Sequence, residues 1–518
     1  MQDQASSDTI LPEAEPPEPA QADRLAALYQ EVTELGRAVR AEAEDILAGW
    51  PAVPDERGFA PSAANLAHYL ALRRRDLRPL QRRLMTFGLS SLGRLESRVL
   101  PGLDAVAATL AVLAGQPAPP VPAEEAFFVG EARLAERAKE VLGPPVEQHG
   151  VALLVTCPST AADDPAFMRG LADANVEAVR INCAHDDAET WGRMIANARA
   201  AAALTGRPMK VLMDLGGPKI RTGAVRSPKR DKLLRPGAAF ALVPPGGLDA
   251  LPENAPAFAA ECELPEALTM AQPGHRLFFD DAKVAAVIEQ VVPWGLVARV
   301  DRAKAEGVKL RSEKGLSFPD TDLTVTPLTP KDLADLEFVA RQADGISYSF
   351  VQSAGDVALL QDELARLRPA DWQSLSVVLK IETQKALRNL PAMLVQAASR
   401  QPTAIMIARG DLAAEIGFGR TAEIQEQILW LGEAAQVPVI WATQVLETLA
   451  KSGVPSRAEI SDAGMGVRAE CVMLNKGPYI TDAIRMLDDI LRRMAGHQTK
   501  KKSLLRALRS WGSEGSLL

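Results

Sequence analysis

The sequence has no apolar run able to cross a bilayer comfortably. Its longest, VLPGLDAVAATLAVLAG, carries Asp104 and falls short of the roughly 20 residues that a spanning helix needs, so it reads as an amphipathic core helix. Cysteine is scarce as well. Cys157, Cys183, Cys262 and Cys471 lie far apart and form no CxxC pair or paired-ligand spacing, His185 near Cys183 being isolated, which argues against a disulfide scaffold or a zinc knuckle and predicts reduced structural thiols. An excess of positive charge is also missing: the net charge of −8 excludes the basic footprint of a general nucleic-acid binder. The N-terminus, MQDQASSDTILPEAEPPEPAQ, lacks the features of a signal or transit peptide, being acidic and Pro-rich. Residues 1–22 are expected to form a disordered tail and the protein to be cytoplasmic.

At 518 residues the chain exceeds what one core can organise, since single cores stop growing beyond about 250–300 residues. Residues 23–145 are helical in pattern, with apolar positions three and four apart in 23–47, 65–100 and the Asp104 segment, and the Pro-rich AGQPAPPVPAEE interrupts them. A basic run, Arg73 to Arg75 with Arg78, Arg82 and Arg83, reads best as a solvated helix face, with an anion patch as the rival. After Val151 the character changes. Eight apolar runs, VALLVT, VEAVRIN, KVLMD, GISYSF, SVVLKIE, AIMIARGD, PVIWATQ and ECVMLN, alternate with helical stretches. Eight such units favour a closed parallel (β/α)8 TIM barrel, an α/β fold, over an open doubly wound sheet. The Val-rich, turn-rich segment 224–308 predicts a small β lid domain inserted after the third strand, dividing the barrel into 146–223 and 309–496, with 497–518 as a C-terminal tail.

In such a barrel the chemistry sits at the carboxyl ends of the strands. Arg180 and Asn182 end the second strand on one face, Asp214 ends the third, and Lys380 and Glu382 share a face of the fifth. Gly410 and Asp411 follow the sixth strand and Thr443 the seventh. Each signal alone is ordinary: LKIE as a surface ion pair, ARGD as a helix start, Asp280 and Asp281 as a hairpin turn, His185 as a structural histidine. Their recurrence at one end is not. Glu382 and Asp411, without histidine, suit a hard divalent ion such as Mg²⁺ or Mn²⁺. Arg180, Arg221 and Lys380 suit a phosphate, and the amides of Gly410 and Asp411 at a helix start suit a carboxylate. Together they point to an anionic phosphoryl donor or acceptor.

At this point the chain resembles the pyruvate kinase family from about Leu153 to Met494, on VRINCAH, VLMDLGGPKIRTG, FFDDAKV, EKGLSFP, SYSFVQSAGDV, VLKIET, AIMIARGDLAAEI, VIWATQVLETL and PSRAEISDA. The resemblance implies phosphoryl transfer from phosphoenolpyruvate to ADP, giving pyruvate and ATP, with Glu382 and Asp411 as Mg²⁺ ligands. It makes Lys380, Arg180 and Thr443 catalytic, and has Gly410, Asp411, Thr443 and Arg221 hold the substrate. Arg180, Asn182, His185 and the lid residue Asp281 would meet the nucleotide. Neither nucleic acid nor membrane is an expected partner, and a homo-oligomer is left open. Two readings compete with it: a metal-dependent lyase passing through pyruvate enolate, and a catalytically weak binding or scaffold protein.

Several positions depart from the family pattern. TCPST lacks a Gly before its Pro, Thr383 replaces an Asn, Gln352 replaces a basic residue, and ECVMLNKGPYI lacks the usual Ser-Gly-Glu-Thr loop. The family's C-terminal regulatory domain is not expected here, while the N-terminal helical block has no counterpart in its common form. Members that need K⁺ hold it through an Asn, a Ser and an Asp, with a Glu nearby. Here Asn182 and Asp214 remain, Ala184 replaces the Ser and Lys219 the Glu, so the resemblance implies that the Lys219 ammonium takes the place of K⁺.

Overall fold

The computed structural model describes residues 21–145, 149–280, 282–323, 325–500 and 502–503. Residues 1–20 of the expected N-terminal tail, Asp281 and most of the C-terminal tail therefore lie outside the described residues, while Gln21 and Ala22, expected in that tail, begin the first helix. Each of the eight apolar runs contains a strand: β1 (Ala152–Thr156), β2 (Ala178–Asn182), β3 (Lys210–Asp214), β4 (Gly345–Tyr348), β5 (Ser376–Ile381), β6 (Thr403–Ala408), β7 (Val439–Ala442) and β8 (Cys471–Leu474). Every strand pairs in parallel with the next, and β8 closes on β1 through Ala152 opposite Cys471. Parallel strands buried on both faces need apolar residues throughout, which is why these runs do not alternate. β5 and β6 are buried along their full length.

The insertion between β3 and β4 forms a seven-stranded sheet, from Thr222–Arg226 at one edge to Leu316–Ser317 at the other. It has its own core around Phe240, Leu277, Phe279 and Ile288. A short helix, Pro265–Met270, interrupts this sheet where the sequence pattern showed none. Pro265 starts it, at a position where the missing N–H costs nothing.

The N-terminal block comprises five helices, α1 (Gln21–Ala48), α2 (Ala60–Arg73), α3 (Arg78–Thr86), α4 (Val99–Leu113) and α5 (Glu124–Leu142). The 65–100 pattern, continuous in sequence, breaks because Pro79 starts a new helix and Gly88 takes a φ of +69° after it. The block docks on the barrel helix Phe418–Ala435, whose last carbonyls need donors. Asn65 Nδ2 donates to Ala434 O at 2.8 Å, and Arg137 Nη1 donates to Gln436 O at 3.0 Å. At its end, α5 inserts Val141 and Leu142 among Ala152, Leu154, Ala178, Cys471 and Met473, filling the barrel at its amino-terminal end. No helix among the described residues is long and apolar enough to cross a membrane.

His149 lies on the link from α5 to β1. Its Nδ1 accepts from the Val151 amide at 3.2 Å and its Nε2 faces Asp488 at 3.3 Å. Burial holds its pKa below the ordinary 6.5, although Asp488 opposes the shift. A depressed imidazole contributes stability that is fully present above the unfolded-state pKa and is lost as pH falls from there through the lower folded-state pKa. Urea midpoints are therefore expected to drop between pH 7.5 and 5.5, and to drop less in His149→Gln. An unchanged pH slope in the variant would contradict the assignment.

Candidate active site

Asp214 at the end of β3 is fully buried and faces cations from two other strands. Arg180 reaches it from β2, Nε and Nη2 approaching Oδ2 at 2.8 and 2.7 Å, and Lys380 reaches it from β5, Nζ at 3.3 Å. Burial by itself would raise the Asp214 pKa, but Arg180 and Lys380 hold it below the usual carboxylate range. The register explains the meeting: Arg180 lies two residues before Asn182, which pairs with Asp214, and Lys380 lies two residues beyond Val378, which is level with Asp214 through Ser347, so the two cations flank the carboxylate from below and above.

Lys380 is fixed on three sides. Nζ donates to Ser349 Oγ at 2.8 Å and lies 3.2 Å from Glu382 Oε1 as well as beside Asp214. Burial favours its neutral form, yet Glu382 and Asp214 together hold its pKa above the ordinary 10.5, so the ammonium persists. Glu382 in turn accepts from the Phe350 amide at 2.6 Å. Burial, and Asp411 beside it, keep the Glu382 pKa above its ordinary 4.5 despite Lys380. Two neighbouring carboxylates that disfavour each other's charge suit a cation. Among the described residues no third carboxylate, histidine or cysteine joins them. Mg²⁺ commonly takes one or two carboxylates and completes its shell with water and substrate oxygens, so the donor set fits it.

Asp411 opens the helix Arg409–Ile416 directly after β6, and the Gly410 amide donates to Thr443 Oγ1 at 3.1 Å. Thr443, Gln444 and Leu446 all carry positive φ. Such strain persists only where the surroundings impose it. Arg409 does so here: its guanidinium lies 4.5 Å from the Trp441 ring centroid, donates to the carbonyls of Ala442 and Thr443, and is paired with Asp462. Neither Ser349 nor the Arg409–Asp462 clamp was singled out from the sequence, although SYSF and SDA lay within the recognised strings. Gly217, at φ +67°, lets the turn after β3 pass Ser349 and Phe350, where a Cβ would meet carbon atoms at 2.9 Å.

Six of the candidate residues divide between two cavities, while Lys380, Gly410 and Thr443 line neither. One, of about 600 Å³, lies between lid and barrel and is lined by Lys219, Phe278, Ser317, Glu382 and Asp411. The other, of about 270 Å³, is lined by Arg180, Asn182 and His185 together with Lys451 and Lys476, which follow β7 and β8. Arg221 lines neither; its Nη1 donates to Glu313 O at the root of the lid. Lys219 is also displaced from expectation. Nζ lies 2.7 Å from Asp411 Oδ1, and Arg180 and Lys380 already occupy the side of Asp214 where a substitute for K⁺ was expected. The lid rests on the barrel through a hydrogen bond from Ser317 to Glu415.

Residues 151–483 match the family model described as pyruvate kinase, barrel domain. The chain is 32% identical over 337 residues to a pyruvate kinase of Methylorubrum extorquens, covering 64% of this chain and 66% of that protein. It is 28% identical over 363 residues to the human pyruvate kinase PKLR, covering 67% and 60%. The match thus spans less than two thirds of the length of either relative. A solved pyruvate kinase from Cryptosporidium parvum superposes with a TM-score of 0.59 at 23% identity, over 69% of this chain and 72% of that one, a likeness of fold.

The charge cluster gives a stability prediction. Asp214→Asn leaves two buried cations without their shared counter-charge and should cost about 3–5 kcal/mol. Lys219→Met breaks a partly exposed pair and should cost no more than about 1 kcal/mol. Chemical denaturation separates them, and equal costs would show that Asp214 is not the keystone.

Proposed function

Since the chain belongs to the pyruvate kinase family, we propose that it transfers the phosphoryl group of phosphoenolpyruvate to ADP, giving pyruvate and ATP. The observation that carries this reading is the charged Lys380, held by Ser349, Asp214 and Glu382 at the floor of the mouth. Phosphoryl transfer asks for positioning and charge neutralisation more than for covalent participation by the protein. In the proposed reaction the bond from phosphorus to the enol oxygen breaks while an oxygen of the ADP terminal phosphate bonds to phosphorus. Lys380 stabilises the phosphoryl group in flight and the enolate oxygen left behind. Arg180, whose Nε and Nη2 are committed to Asp214 and whose Nη1 donates to Thr156 Oγ1, lines the cavity with Asn182 and His185, where the nucleotide phosphates would lie.

Glu382 and Asp411 would hold Mg²⁺ or Mn²⁺, which supplies Lewis-acid neutralisation of substrate oxygens when bound. Thr443, fixed by the Arg409 clamp, would orient the substrate carboxylate and organise delivery of the proton that converts enolate to pyruvate. The amides of Gly410 and Asp411 would assist with the carboxylate. The lid, which carries Asp281, would exclude water from the transferring group. Arg221 would act from the root of the lid, through its placement relative to the cleft.

A coupled assay with phosphoenolpyruvate, ADP and Mg²⁺ tests the activity, and Lys380→Met should lower turnover by about a hundred- to a thousandfold. No activity above that variant would defeat the reading. We further propose independence of K⁺, since Ala184 removes a ligand oxygen and Lys219 brings its own charge into the cleft, on Asp411. Rates in buffer free of Na⁺ and K⁺ should equal rates in K⁺. Lys219→Glu should lower activity without restoring full K⁺ activation, whereas strong K⁺ activation of the native protein would refute the proposal.

A further inference from the structure

Half of the basic run in the N-terminal block is accounted for by ion pairs: Arg75 with Glu42, Arg78 with Asp76, Arg83 with Glu31. Arg73 and Arg74 differ. They border a cavity of about 500 Å³ between the ends of α1 and α2 and the barrel helix Gln384–Ala398, from which Arg388 completes a set of three guanidiniums. Among the described residues no carboxylate lines this cavity. Glu42 lies 3.5 Å from Arg74 but is shared with Arg75, and Arg388 has no ion-pair partner among the described residues. Arg73 is held in place by donating to Tyr69 Oη at 2.6 Å, with its guanidinium 4.8 Å from the Trp430 ring centroid, and these contacts leave most of its five N–H donors unused. The remaining wall is apolar, made by Ile46, Trp50, Leu70 and Pro391.

Three guanidiniums around one cavity, offset among the described residues only by the Glu42 that Arg74 shares with Arg75, call for an anion, and guanidinium forks match a phosphate bidentately. An apolar wall containing an indole calls for a flat carbon body beside that phosphate. The geometry points to a binding site for a small phosphate ester bearing a planar ring, formed jointly by the N-terminal block and the barrel. The site adjoins the cleft. Arg388 and Asn389 line both cavities, Asn389 donates to Gln352 O at 2.8 Å, and their helix begins directly after Glu382 and Thr383.

Calorimetry on the full chain with 1-naphthyl phosphate and with inorganic phosphate tests this, with phosphoenolpyruvate saturating so that the cleft is occupied. The naphthyl ester should bind and inorganic phosphate should bind more weakly. The double variant Arg74→Ala, Arg388→Ala should lose about tenfold in affinity for the ester, as expected for removal of charge-assisted hydrogen bonds. Hydrogen exchange should show ester-dependent protection in residues 46–50, 70–74 and 384–392. Absence of binding, complete displacement by phosphoenolpyruvate, native affinity in the folded double variant, or protection confined to the barrel mouth would each overturn the proposal.

Discussion

One buried carboxylate organises the barrel mouth. Asp214 accepts from Arg180 and lies beside Lys380, and that shared negative charge is what allows two cations to stay ionised side by side with so little water. Everything near it is arranged by consequence. Lys380, tied to Asp214, meets Ser349 and Glu382; Glu382 fixes the Phe350 amide; Phe350 and Ser349 crowd the turn that only Gly217 can make. A network of this kind is costly if partly satisfied and rigid when complete, which gives the site its preorganisation.

The barrel was legible because a parallel strand buried on both faces leaves an unbroken apolar run, and eight such runs alternated with helical stretches. The strand ends were legible for the same reason: Arg180, Lys380 and Glu382 are polar interruptions in segments that otherwise tolerate none. What the sequence withheld were contacts between elements distant along the chain. Ser349 became a partner of Lys380, and Asp462 a partner of Arg409, only through the closure of the barrel. Lys219 was expected beside Asp214 and lies on Asp411, because a flexible four-carbon side chain can reach several carboxylates and sequence does not rank them. The helices of the N-terminal block were blurred together for a different reason, since Pro79 is compatible with an apolar period of three and four while still starting a new helix.

The N-terminal block is joined to the barrel by more than surface contact. Asn65 and Arg137 satisfy carbonyls at the carboxyl end of Phe418–Ala435, and Arg137 lies 5.0 Å from the Phe59 ring centroid, binding that junction to the block's own core. Gly130 permits the close approach of α5 to the Ser97 carbonyl, which a Cβ would meet at 2.3 Å.

The plug formed by Val141 and Leu142 has a consequence for the order in which the molecule is made. These residues are synthesised before any barrel strand, yet the side chains that surround them include Cys471 and Met473 of the last one. During synthesis the end of α5 therefore waits incompletely covered, and this end of the barrel can be sealed only when its last strand has emerged. Domains generally fold as units in order of synthesis. Here the helical block ends in an apolar tip whose cover is completed only by the last barrel strand, so the nascent barrel carries an apolar surface that the finished protein does not.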